Sequence, residues 1–73
     1  MSLIKINPVV AAEKASATVR AERNRLLAAS DWTQLLDIPE TTRAVWAVYR
    51  QALRDIPQQE GFPHSVVWPS KPE

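Results

Sequence analysis

Between Val45 and Ile56 the apolar positions follow a helical period. Val45, Tyr49, Ala52 and Ile56 succeed one another at intervals of four, three and four residues, and Trp46, Tyr49, Leu53 and Ile56 at three, four and three. Both rows fall on one broad face of a helix, with Arg43, Ala47, Arg50, Gln51, Arg54 and Asp55 on its flanks and back. Alanine, leucine, arginine and glutamine favour helix, and nothing from Glu40 to Asp55 interrupts the run. The spacing predicts a helix over 40–56, stopped by Pro57, which disfavours helical geometry at the residue before it. Asp37 and Glu40 are spaced as a capping box at its start, and Arg54 suits the negative end of its dipole.

A second, weaker pattern lies upstream. Asn7-Pro8 reads as an N-cap followed by proline at the first helical position, and the alanine-rich stretch that follows predicts a helix over 8–29. Its apolar row is Ala12, Ala15, Val19, Leu26 and Leu27, with Glu22 and Arg23 standing where further apolar residues would complete it. The first half buries little because its side chains are small; the two leucines anchor the second half. Ser30 to Pro39 is then the connection between two antiparallel helices, with Asp31 and Asp37 as turn and cap residues. Trp32, Leu35 and Leu36 are apolar enough to be expected as a plug in the open end of the hairpin.

After Pro57 the chain holds Pro63, Pro69, Pro72 and its only glycine, Gly61. An extended tail is expected, stiffened toward polyproline II, with Phe62, Val66 and Trp68 laid along an apolar groove. The fold class is therefore all-α: a small helical hairpin of two helices (8–29 and 40–56, within 8–57) with an extended Pro-rich C-terminal tail (58–73) packing back on it. Residues 1–7 are expected to be extended or disordered.

Composition narrows the function classes. At 73 residues the chain is one domain at most and buries only about 60% of its unfolded surface, so its own core is marginal. With no cysteine there is no disulfide framework and no thiolate zinc site, which leaves oligomerisation or partner binding as the expected supplement. Trp32, Trp46 and Trp68, one in each successive segment, each bring roughly 150–250 Å² of buriable surface and are expected to tie the segments together. Nine Lys and Arg against eight Asp and Glu leave a net charge of +1, without an overall pull toward nucleic acid or an anionic membrane. No apolar run approaches the roughly 20 residues of a membrane span, and Met1 to Pro8 lacks a signal peptide's basic start and long apolar middle, so a cytosolic protein is expected.

Catalytic chemistry finds little support. The single histidine, His64, has no second soft ligand nearby in sequence, and its adjacency to Ser65 is not an activated nucleophile. No metal, no cofactor and no enzymatic activity are expected. Arg20, Arg23, Arg43, Arg50 and Arg54 are interleaved with Glu13, Glu22, Glu40 and Asp55, and the connection is too long for a helix-turn-helix, which argues against nucleic-acid binding. Arg50 admits two readings: a solvated or locally paired side chain, or a packed arginine that hydrogen-bonds the free carbonyls of the tail.

Several uncommon motifs occur in order: Arg23 to Gln34 with Asp31-Trp32, Trp46 to Pro57 with Tyr49-Arg50, then Gly61-Phe62-Pro63, and Trp68-Pro69-Ser70-Lys71-Pro72. This series resembles the phage tail assembly chaperone family, and its later part is also similar to the C-terminal region of tail fibre assembly proteins. The resemblance implies a small assembly factor without catalysis, encoded by a phage or prophage. It would act in the cytoplasm of the bacterial host, with a tail or tail-fibre protein as partner. Trp46, Tyr49, Arg50, Leu53, Ile56, Trp68 and Pro69 are the candidate partner-binding or tail-docking residues, against the plainer reading that the four on the apolar face of the second helix, Trp46, Tyr49, Leu53 and Ile56, are ordinary core. Two other classes stay open: a structural or oligomerisation module retained in the phage tail, and a small helical DNA-binding regulator.

Overall fold

The computed structural model describes residues 8–73, so the expectations for 1–7, including the Asn7 cap, lie outside the described residues. In chain order come α1 (Pro8–Ala29), a first 3-10 turn (Asp31–Gln34), α2 (Glu40–Arg54) and a second 3-10 turn (Ile56–Gln58). No strand occurs among the described residues. The fold is a small all-α hairpin.

The ends of the helices follow from local hydrogen bonding. Ser30 closes α1: its N–H reaches the Leu26 and Leu27 carbonyls at 3.2 Å each, and its Oγ donates to the same two carbonyls at 2.9 and 3.1 Å. The capping box expected of Asp37 and Glu40 does not form, because the N-cap of α2 falls on Pro39, whose carbonyl accepts from the Arg43 N–H at 2.9 Å and which has no side-chain cap to offer. At the other end α2 stops at Arg54, two residues short of the predicted Ile56. Pro57 has no N–H to give to the Leu53 carbonyl, so the chain tightens into the second 3-10 turn, with Gln58 N–H on the Asp55 carbonyl at 2.8 Å.

The core is the second of the two apolar rows. Leu53 and Ile56 are fully buried, Trp46 and Tyr49 nearly so, and Val19, Leu26 and Leu27 of α1 pack against them together with Phe62 and Val66. The first row splits: Val45 stands in solvent while Tyr49 and Ile56 are buried, because the buried arc centres on Trp46 and Leu53 rather than on Val45. The plug expected of Trp32, Leu35 and Leu36 forms only in part, through Trp32 against Trp46. Trp32, Leu35 and Leu36 are 51%, 58% and 87% exposed. The space under the first turn belongs to Thr33, which is fully buried and donates from Oγ1 to the Ser30 carbonyl at 2.6 Å, so its neighbours point outward.

Beyond α2 the chain turns before it straightens. Phe62 N–H meets the Gln59 carbonyl at 3.1 Å, and the Gly61 carbonyl accepts from His64 at 3.0 Å and Ser65 at 2.8 Å, so 58–65 is a series of turns rather than the extended start of a tail. Gly61 is required there: a Cβ at this position would collide with the Ser65 carbonyl oxygen. Only from Val66 onward does the chain run without turn or helix.

Candidate functional site

The polar centre of the molecule is Arg50, buried on α2 to all but 9% of its surface. Its Nη1 donates to the Leu27 carbonyl and to Ser30 Oγ, both at 2.7 Å, and its Nη2 to Asp31 Oδ1 at 2.8 Å. Its guanidinium therefore sits at the negative end of the α1 dipole and adds a charged donor to a carbonyl that also accepts from Ser30. The tail carbonyls that one sequence reading offered as partners are not its acceptors, because those at the end of α1 lie closer to a residue on the inner flank of α2. Asp31, read from sequence as a turn residue, is an ion-pair partner as well, although its side chain is 68% exposed. Sequence held one clue to this: Arg50 is the charged position closest to the apolar arc.

Around this centre the aromatic side chains form a path from core to surface. Tyr49 meets Trp46 edge to face, with centroids 5.6 Å apart and ring planes at 87°; Trp46 in turn lies 5.8 Å from Trp32 at 58°. These rings line a groove of about 670 Å³ between the end of α1 and the C-terminal residues, with Leu26, Lys71 and Pro72 among its other walls. Past Trp32 the same connection presents Leu35 and Leu36 to solvent. Three large apolar side chains thus stand exposed within five residues.

The seven residues singled out by sequence fall into two groups. Trp46, Tyr49, Arg50, Leu53 and Ile56 come together inside the hairpin, and Leu53 and Ile56 have no exposed surface at all. Trp68, 39% exposed, and the half-buried Pro69 lie on the straight C-terminal stretch, just past Val67, whose main chain is held at both N–H and carbonyl by the Gln59 side chain at 2.8 Å. Sequence reasoning missed Leu35 and Leu36 as surface and Gln59 as a clasp; residue type alone gives no direction to a side chain. Elsewhere on α1, Glu22 accepts two hydrogen bonds from Arg25, which hold its carboxyl below the usual carboxylate range. Among the described residues no set of His, Asp and Glu side chains converges as metal ligands, and no helix is long and apolar enough to cross a membrane.

A family model described as phage tail assembly chaperone protein matches residues 16–73, which takes in the second half of α1, all of α2 and everything after it. None of the curated proteins and none of the solved structures compared with the chain matches it.

Proposed function

The chain belongs to the phage tail assembly chaperone family, and on that premise we propose that it holds an unassembled tail protein, without catalysis, through the apolar surface at the closed end of the hairpin. The observation that carries this reading is the exposure of Trp32, Leu35 and Leu36 at 51%, 58% and 87% in one short connection. Exposed apolar side chains grouped this closely favour cover by another protein. Trp68 and Pro69 contribute from the C-terminal stretch. Trp46, Tyr49, Arg50, Leu53 and Ile56 act indirectly, by holding the connection in shape.

The client is a tail or tail-fibre protein with apolar surface that is covered in the finished tail, and the encounter takes place in the cytoplasm of the bacterial host. Binding is transient: the client's mature contacts replace those with Leu35 and Leu36.

The test is co-expression with each tail and tail-fibre protein of the same phage or prophage genome, followed by co-purification from cells and from finished particles. A stable complex with one unassembled tail protein, lost in Leu36→Glu and Trp32→Ala variants that keep their helical circular dichroism, is the expected result. Stoichiometric retention in finished particles would replace the chaperone reading with that of a structural module. Unimpaired binding by both variants would move the client site elsewhere.

A further inference from the structure

A second apolar surface lies at the opposite end of the hairpin and is not used by the reading above. Among the described side chains, Val19 is the first of α1, counting from the N-terminus, that packs on the core, and α1 runs on past it toward Ala12. At that step there is an open groove of about 650 Å³, floored by Ala12, Ser16 and Ala17 and walled by Phe62 and Pro63. Its rim carries two charges of opposite sign, Glu13 and Arg20, which lie seven residues apart and therefore on the same edge of the helix. Arg20 is fixed: its Nε donates to Ser16 Oγ at 3.1 Å and its guanidinium carbon lies 5.4 Å from the centre of the Phe62 ring. Glu13 has no ion-pair partner among the described residues.

We propose that the occupant of this groove is a second copy of the same chain, with the two α1 helices antiparallel about a two-fold axis between Ser16 and Ala17. The charges select this partner. In an antiparallel pair with that axis, Glu13 of each copy faces the partner's Arg20, so one acid and one base on a single edge satisfy each other twice. The small Ser16 and Ala17 meet at the axis, where helices need room to approach, and Phe62 and Pro63 bound the groove on either side of the pair. The small core supplies the need, since only four apolar side chains among the described residues are buried within the chain itself.

The test is sedimentation equilibrium from micromolar to millimolar concentration on the wild-type chain, on Glu13→Arg and on Arg20→Glu, each checked for helical circular dichroism. A wild-type dimer is expected, and each reversal sets two like-charged contacts in place of two attractive ones, weakening it by roughly tenfold or more. Mixing the two variants is expected to restore association as a heterodimer, because one chain then carries bases at both positions, the other carries acids at both, and each contact again joins opposite charges. A wild-type chain that stays monomeric throughout, a dimer indifferent to Glu13→Arg, or variants that fail to associate on mixing would each overturn the proposal. None of these outcomes bears on client binding at the closed end.

Discussion

The side chain of Gln59 pairs with the main chain of Val67 as a neighbouring strand would: Nε2 donates to the Val67 carbonyl and Oε1 accepts the Val67 N–H, both at 2.8 Å. A two-way bond of this kind fixes the start of the C-terminal stretch without any sheet. The expected consequence is slow hydrogen exchange at the Val67 amide, accelerated roughly fivefold or more in Gln59→Ala, the loss of about one hydrogen bond's net worth. Gln59→Glu keeps the acceptor but sets a carboxylate oxygen against the Val67 carbonyl, so it too should speed exchange at the Val67 amide. Equal exchange in all three chains would show that the clasp is not formed in solution.

Arg50 and Asp31 form an ion pair at 2.8 Å, yet the two ends are expected to respond very differently to removal. Arg50→Ala removes three charge-assisted hydrogen bonds at the end of α1, to the Leu27 carbonyl, the buried Ser30 Oγ and Asp31, and opens a void, which should cost about 2–4 kcal/mol. Asp31→Asn removes a mostly exposed carboxylate and should cost under about 1 kcal/mol. Urea unfolding of the two variants checks the ranking, and equal losses would contradict it.

Burial separates residues of the same type in the same way. Leu53→Ala, at a position with no exposure, is expected to cost about 2–5 kcal/mol, enough to leave so small a fold partly unfolded at room temperature. Leu36→Ala, at 87% exposure, should stay within about 0.5 kcal/mol of the parent. Thermal melts followed at the tryptophan band read both, and a large loss at Leu36 would mean that the connection is closed in solution.

The hydrogen bonds and charge of Arg25 favour the ionised form of Glu22, so the folded chain takes up this proton less readily than the unfolded one. Stability from this contact is complete above the usual carboxylate range and is lost as pH falls through the lowered range of Glu22. Glu22→Gln should flatten that part of the acid unfolding profile. Because both groups are exposed, the effect should be small and should shrink further in high salt.

The two helices and the arc of Trp46, Tyr49, Leu53 and Ile56 were legible because a 3.6-residue period is a property of the chain alone. The outward course of Trp32, Leu35 and Leu36 was not, since it depends on Thr33 taking the one inward place in a four-residue turn. The acceptors of Arg50 were not legible either: they sit at the end of a different helix, and no local pattern sets how far α2 lies along α1. Val45 shows the limit within a single helix, where two overlapping apolar rows were equally periodic and only packing chose between them.

Greasy contacts between two helices tolerate sliding. Shifted by one turn, about 5.4 Å, Leu53 would stand near the place of Tyr49, and an apolar surface would still meet an apolar surface. Arg50 permits no such shift, because a guanidinium moved by one turn loses the Leu27 carbonyl and Ser30 Oγ and is left buried with nothing to bind. The polar contact thus acts as a detent on an otherwise smooth rail: it makes one alignment of the hairpin far better than its neighbours, and so fixes where along α1 the connection bearing Trp32 and Leu36 emerges.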